Sequence, residues 1–330
     1  MKFRVEHTFH DISLADYEKL YFLGGSVNWG NIRGVLAHNI AGLRIFEEGS
    51  YRSPRVDAWG IDDLHMFEEA NEALRALGDR PFFAVLQTSG NHRPYTIPDD
   101  NRGFRRIHHA QAELASAGFT SNDELDSFRF VDHSLGYFFS AARKERYFAN
   151  TIFVMFGDHG YLGRAKSLTQ AELDSGILRF HVPLIIVGPP STCSPRVVDK
   201  VASEVDVLPT VASLAGVPYT NTTLGRDLFD PRFDQARYAF VMADHYNQPR
   251  IGIVSDNLFV RQSPDGSEQE IWDLAAGVAR PQPDAATQAK AHEMAELSRG
   301  LYESARYLLY HNSAAAAGGG GTPSEAPTPK

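Results

Sequence analysis

Two apolar runs of this chain end in polar loops built from residue types that bind anions and metals. Phe82-Phe83-Ala84-Val85-Leu86-Gln87-Thr88 leads into Ser89-Gly90-Asn91-His92-Arg93-Pro94-Tyr95, and Thr151-Ile152-Phe153-Val154-Met155-Phe156 leads into Gly157-Asp158-His159-Gly160. Asp158 and His159 offer a carboxylate and an imidazole on adjacent residues, and the flanking glycines permit a turn tight enough for both to reach one ion. Oxygen and nitrogen donors of this kind suit Mn²⁺, Zn²⁺ or Mg²⁺. The same residues also make an ordinary polar turn in which Asp158 caps the following helix. His92 fits either an acid–base or anion-contacting role or a solvated turn. His181 precedes the apolar run Val182–Val187 and is either a site residue or a half-buried histidine bonded to backbone. Arg33, five residues after Asn28, is a candidate anion binder or a solvated helix residue.

These loops need a scaffold that brings them to one place. Continuous apolar strands separated by helices imply an α/β fold with a mostly parallel central sheet covered on both faces. In such sheets ligands bind beyond the carboxyl ends of the strands. Strands 82–88 and 151–156 are expected in one sheet, pointing the same way, so that His92, Asp158 and His159 share a cleft bordered by His181. The pattern also predicts a strand at Tyr17–Leu23, a helix over Asn28–Ala41, and a helix from an Asp62 cap to about Leu77 with Leu64, Phe67, Ala70, Leu74 and Leu77 on one face. A helix over Asp126–Lys144, a strand at 182–187 and a helix after Asp206 with Pro209 in its first turn follow. Short β runs over 240–274 make a smaller β region. Ala285–Tyr310 reads as an amphipathic helix with Met294, Leu297, Leu301, Ala305 and Leu308 on one face.

Composition sets the outer bounds. The chain has 330 residues with a formal net charge of −9, which argues against a nucleic-acid binder held by general electrostatics. The single cysteine, Cys193, excludes a disulfide framework and a Cys-rich zinc module. No apolar stretch approaches the length of a membrane span, and the first 13 residues have no apolar core of a signal peptide. Residues 313–330 are an Ala/Gly/Pro/Ser low-complexity tail expected to be disordered. Cys193-Ser194-Pro195-Arg196 is one position short of the Cys-x-Pro-x-Arg motif from which sulfatases generate their nucleophile, and it follows the Asp-His turn instead of preceding it, so Cys193 reads as a loop residue.

In combination and in this order, YFLGGSVNWGNIRG (21–34), DAWGIDDLHMFEEA (57–70), FFAVLQTSGNHRPYTIP (82–98), TIFVMFGDHG (151–160), FHVPLIIVGP (180–189), SEVDVLPTVASLAGVP (203–218) and GRDLF (225–229) resemble the catalytic domain of the lipoteichoic acid synthase and phosphoglycerol transferase family, within the sulfatase and alkaline phosphatase superfamily. The resemblance implies a threonine nucleophile that attacks the phosphodiester of phosphatidylglycerol and passes the glycerophosphoryl group to a glycan or glycerol-type acceptor hydroxyl. It implies one divalent metal, usually Mn²⁺, held by Glu, Thr, Asp and His. Asp158 and His159 resemble the Asp and His ligands, His92 the histidine on the phosphate and His181 a further site histidine, while the substrate-contacting Trp and Arg fall near Trp29 and Arg33. It also implies the periplasmic or extracytoplasmic face of a bacterial inner membrane.

The segments that would carry the Glu ligand and the Thr nucleophile have no counterpart before Leu14. Glu6 and Thr8 are two residues apart, whereas the family's pair sits on separate elements. The expectation is therefore residues 14–312 as a sulfatase-like domain lacking its N-terminal portion, without a nucleophile and inactive alone, and residues 1–13 unassigned. The alternatives are a non-catalytic module for anionic lipid headgroups or a partner subunit, and, less favoured, a sulfuric ester hydrolase.

Overall fold

In the computed structural model, residues 16–161, 163–235, 237–243, 249–280 and 282–311 are described. Glu6, Thr8 and the tail 313–330 lie outside them.

Glu18–Leu23 forms β1, whose Leu20, Tyr21, Phe22 and Leu23 are all buried. Helix α1 (Ile32–Asn39) returns the chain to β2 (Leu43–Phe46). Helix α2 (Asp63–Arg75) leads to β3 (Phe82–Gln87). The order is β2-β1-β3 and both pairings are parallel, with Leu20 opposite Arg44 on one side and Ala84 on the other. Helix α3 (Gln111–Ala117) and the long α4 (Asn122–Ala142) precede β4 (Phe153–Phe156); α5 (Gln170–Ser175) precedes β5 (Leu184–Val187), and α6 (Val207–Leu214) follows. The C-terminal part is a five-stranded antiparallel sheet of β6 (Ala239–Ala243), β7 (Arg250–Ser255), β8 (Leu258–Gln262), β9 (Gln269–Asp273) and β10 (Val278–Ala279), with α7 (Ala285–His311) packed on it. The α/β class, the parallel sheet flanked by helices, the smaller β region and the C-terminal helix are as the sequence implies.

The expectation that 82–88 and 151–156 share a sheet is corrected. β3 belongs to the parallel sheet, whereas β4 pairs antiparallel with β5, Phe153 opposite Val187 and Phe156 opposite Leu184. A continuous apolar run reports burial of a strand's faces and carries no information on which edge finds a partner. The two sheets still share one core. Leu20 and Phe22 of β1, Met66, Phe67, Ala70 and Leu74 of α2 and Phe138 and Ala142 of α4 form one apolar cluster, against which Phe82, Ala84, Leu86 and Phe153 pack.

Three helix expectations shift for local reasons. Asn28–Ala41 is broken, because Gly30 and Asn31 take left-handed conformations (φ 58° and 59°) that end a 3₁₀ turn before α1 begins. Helix α4 starts four residues early, at the Ser121 cap whose side chain accepts from Glu124 N–H. On α7 the buried stripe is Ala291, Met294, Ala295, Ser298 and Leu301, while Leu297 is exposed. Small residues let α7 sit close to β8, where Gln262 Nε2 donates to Ala295 O at 2.6 Å and to Ser298 Oγ at 2.8 Å. Helix α2 follows its reading: Asp62 caps it, accepting from His65 N–H, and all five apolar residues on the expected face are buried.

The join between the two parts is a buried ion pair. Asp206 (0% exposed) accepts from Arg226 N–H at 2.8 Å and faces its guanidinium at 3.3 Å, and Arg226 Nη2 also donates to Tyr238 O at 2.7 Å. Removing one partner strands the other charge in the interior. Arg226→Ala is therefore expected to cost about 3–5 kcal/mol of stability, read as a lowered urea midpoint; a loss under about 1 kcal/mol, the range of a surface pair, would contradict the buried-pair account.

Candidate active site

The loop after β3 is fixed at three points. At its root, the buried Asp63 carboxylate at the start of α2 accepts from Ser89 N–H and Gly90 N–H, both at 2.9 Å. Gly90 is required there, since a Cβ would lie 2.6 Å from Asp63 Oδ2. At the middle, the Trp59 ring lies against His92 with centroids 4.3 Å apart, and Trp59 Nε1–H donates to Arg93 O at 2.8 Å. At the far end, Tyr95 O–H donates to Glu124 Oε1 at 3.0 Å. His92 itself is exposed, its Nδ1 3.2 Å from Ser89 O. Trp59 reaches the loop because residues 56–61 cross the end of β1: Ile61 N–H donates to Gly24 O at 3.1 Å, and Gly60, at φ 96°, has no room for a Cβ against Gly24 O.

Trp29 stands at the edge of the same group, 67% exposed, its ring centroid 6.4 Å from that of Trp59. Arg33 is nearby but engaged. Its guanidinium pairs with Glu47, which also accepts from Val27 N–H at 3.0 Å, and Arg33 Nε donates to Asn28 Oδ1 at 3.2 Å. An anion at Arg33 would compete with Glu47.

The Asp158-His159 turn is more open. Both side chains are exposed, and their contacts are local: Asp158 Oδ1 accepts from His159 N–H at 3.0 Å, and His159 Nε2 lies 3.9 Å from Asp158 Oδ2. Gly160 N–H donates to Arg179 O at 2.8 Å, and a Cβ on Gly160 would press on Leu178 O and His181 O, so the turn sits directly beside the His181 backbone. Glu204 feels the turn as well. Desolvation and then the Asp158 charge hold its carboxyl above the usual range, with His159 acting the other way.

Beyond the Asp158-His159 turn, Tyr161 O–H donates to Gly118 O at 3.2 Å and its ring packs on Phe119 and Phe128. Glu124 accepts from Tyr95 O–H, and from Thr120 N–H and hydroxyl at 2.7 Å each. Desolvation raises its pKa, but those donors and the Tyr161 hydroxyl outweigh it and hold the carboxyl below the usual range. Desolvation, with Glu124 beside it, pushes Tyr161 up to about 12. Tyr95 lies three residues beyond His92 and Tyr161 two beyond His159, so both loops converge on the first turn of α4.

As donors, Asp158 and His159 suit a divalent ion chemically, and among the described residues no other charged group bonds to them. Among the described residues no group of three or more His, Cys, Asp or Glu side chains is placed to close a metal site. Cys193 lies in a turn after β5, its N–H donating to Pro189 O at 2.8 Å, and the Arg196 guanidinium stacks on Phe229 at 4.7 Å.

The profile of the sulfatase family matches residues 13–217 of this chain. The chain belongs to the sulfatase family. It is similar to the lipoteichoic acid synthase-like YvgJ of Bacillus subtilis, 25% identical over 228 residues that cover 64% of this chain and 35% of that protein. It is also similar to lipoteichoic acid synthase 2 of the same organism, 28% identical over 48% of this chain and 24% of that protein. The chain thus spans about a third or less of these relatives' length. An alkaline phosphatase superfamily protein from Vibrio parahaemolyticus aligns at TM-score 0.67 and 26% identity, covering 90% of this chain and 67% of that one. The lipoteichoic acid synthase LtaP from Listeria monocytogenes aligns at TM-score 0.70 and 15% identity, covering 90% and 71%, a likeness of fold.

For this sulfatase-family chain, reading the residues misses Trp59, Asp63, Glu124 and Glu204. Asp62-Asp63 shows only as a helix cap, and nothing local reveals that the second carboxylate turns inward to a loop 26 residues on. That burial has a measurable consequence. Desolvation pushes the Asp63 carboxyl up to about 6 from its ordinary 3.8, with its two N–H donors pulling the other way and Asp62 and Asp57 adding to the rise. A folded-state pKa above the unfolded one means the native state holds the proton more tightly, so the stability difference, about 3 kcal/mol, is a penalty fully present above about pH 6 and relieved as pH falls toward 3.8. The Asp63 carboxyl-carbon resonance is expected to titrate near pH 6, and a midpoint at or below the ordinary carboxylate range would contradict this.

Proposed function

We propose that this domain is the phosphate-gripping part of a metal-dependent phosphoglycerol (phosphodiester) transferase, with Asp158 and His159 as two of its metal ligands and His92 on the phosphate. The observation that carries this is the convergence of the two loops on the start of α4 in a sulfatase-family fold, Tyr95 bonding to Glu124 and Tyr161 bonding to Gly118 O and packing on Phe119 and Phe128. Similarity to proteins named lipoteichoic acid synthases supports phosphatidylglycerol or a like anionic phospholipid headgroup as donor and a glycan or glycerol-type hydroxyl as acceptor. The same similarity supports action at the extracytoplasmic face of a membrane; among the described residues no helix is long and apolar enough to cross one.

Asp158 and His159 would hold the divalent ion, Mn²⁺ foremost with Zn²⁺ or Mg²⁺ as substitutes, whose chemistry is to acidify an attacking hydroxyl and to neutralise phosphoryl oxygens. The chain's own residues do the rest. His92 donates to a non-bridging oxygen or protonates the leaving alkoxide. Trp29 and Trp59 offer a face for the glycerol or glycan portion, and His181 borders the metal turn. The nucleophile and the remaining ligands come, in this reading, from a segment outside the described residues. One feature favours a strand within that segment: β3 and β4 each keep one edge without a partner among the described residues, and Val85 and Phe156 on them are exposed.

The test is metal binding and turnover. The 330-residue chain is expected to bind Mn²⁺ weakly, because ligand positions left to water hold an ion less tightly. It is expected to turn over phosphatidylglycerol or a nitrophenyl phosphodiester only at the residual rate of a nucleophile-free site, on the order of 10³-fold over water. A segment bearing the Glu and Thr of a longer relative should restore both, and His159→Ala should then abolish them. Robust metal-dependent turnover by the chain alone would overturn the reading and point first to Thr8. Binding of anionic vesicles without metal, and no gain on complementation, would favour a non-catalytic headgroup-binding module instead.

A further inference from the structure

The clamp beneath the His92 loop does more than hold a turn. The N–H of Gly90 and the C=O of Ser89 belong to one planar trans peptide and point in opposite directions. The N–H end donates to Asp63 Oδ2 at 2.9 Å, and the C=O end faces His92 Nδ1 at 3.2 Å. A carbonyl oxygen only accepts, so Nδ1 carries the proton in this contact, and in a neutral imidazole that makes Nε2 the bare nitrogen. Nε2 has no hydrogen-bond partner among the described residues. The Asp63 side chain is 1% exposed, accepts from Ser89 N–H as well, and leaves the peptide no room to rotate, because Gly90 touches the carboxylate. A negative group on the N–H end of a peptide also strengthens its carbonyl as an acceptor, since hydrogen bonds in a chain polarise one another.

We propose that Asp63 is a positioning residue that acts through the Ser89–Gly90 peptide to fix His92 in its Nδ1–H form and present Nε2 as the atom that meets the substrate's anion. Trp59, tilted at 34° against the ring with centroids 4.3 Å apart, limits the plane in which Nε2 is offered. Asp63 touches no reacting atom. Its effect is on which nitrogen of His92 is free: the neutral ring presents a lone pair, and the protonated ring presents Nε2–H while Nδ1–H stays on Ser89 O. The inference deepens the phosphate-contact reading of His92 and rests on it for its catalytic meaning, but the tautomer is a property of the chain alone.

The experiment is a long-range ¹H–¹⁵N correlation spectrum of the full chain at about pH 8 without added metal, His92 being assigned by its loss in His92→Gln. The wild-type ring is expected to show a protonated Nδ1 and a bare Nε2. Asp63→Asn, whose amide offers one acceptor and one donor to two N–H groups, is expected to lose that pattern in favour of the tautomer mixture of a free imidazole. Leu64→Val, a destabilised control on the same helix, should keep it. If Asp63→Asn does not fold, Gly90→Ala, which forces a methyl against Asp63 Oδ2, reads the same relay and should lose the pattern too. A wild-type His92 protonated on Nε2, or an unchanged Nδ1–H pattern in the folded Asp63 or Gly90 variant, overturns the proposal. No lipid, metal or turnover enters the measurement, so failure of the transferase reading leaves it standing, and its own failure leaves that reading intact.

Discussion

Phe138, near the end of α4, lies 5.3 Å from the Phe67 ring of α2 and 6.3 Å from the Phe153 ring of β4, centroid to centroid. Those contacts hold the parallel β2-β1-β3 sheet and the antiparallel β4-β5 pair against one helix, although no strand among the described residues joins them. The site depends on this packing, because its two loops leave from different sheets. The far end of the same helix carries Glu124, which accepts from Tyr95 beyond the first loop, and Phe128, whose ring packs on Tyr161 beyond the second. Helix α4 thus fixes the loops twice, through aromatic burial at its C-terminal end and through a partnered carboxylate at its N-terminal end. A helix is stiff over this length, so the apolar contact at one end and the polar contact at the other set a single geometry.

Legibility in the sequence divides along the same line. Elements whose signal is periodic are readable: the five-residue apolar face of α2 and its Asp62 cap, the strand 82–87, and the β region before a C-terminal helix. Local chemistry that overrides periodicity is not. Gly30 and Asn31 break an apparently continuous helix by taking left-handed backbone, and Ala291, Ala295 and Ser298 bury the α7 face that Leu297 seemed to mark. Strand neighbours were illegible for a deeper reason. Apolar runs report that faces are covered, while pairing is decided by edges, which leave no trace in side-chain type. Of the candidate site, His92 lies on the loop anchored by Asp63, Asp158 and His159 form a glycine-flanked turn, and the His181 backbone lies beside that turn. The pairing of Arg33 is not legible locally, because its partner Glu47 lies 14 residues on, across a helix and a strand. The residues that aim the site, Trp59, Asp63 and Glu124, are legible only once the fold has brought them under the loops.

The two halves of the site differ in how firmly they are built. The His92 loop is held by two backbone N–H bonds to a buried carboxylate, a ring stack, an indole N–H bond and a tyrosine hydroxyl, so little ordering remains for a ligand to supply. The Asp158-His159 turn is placed by its backbone against residues 178–181, yet both side chains are exposed, and their hydrogen bonds among the described residues stay within the turn, His159 Nδ1 lying 3.2 Å from Gly160 O. Its neighbourhood is also acidic, with the Asp158 charge raising Glu204. A carboxylate that makes its neighbour harder to ionise is relieved by a positive charge placed beside it, which on the proposed reading a divalent ion would supply. The β3 side of the candidate site offers His92, Trp59 and the exposed Arg93, whereas Arg33 is paired with Glu47. On the proposed reading, a phosphodiester would be oriented on the β3 side and would draw much of its charge compensation from a metal on the β4 side.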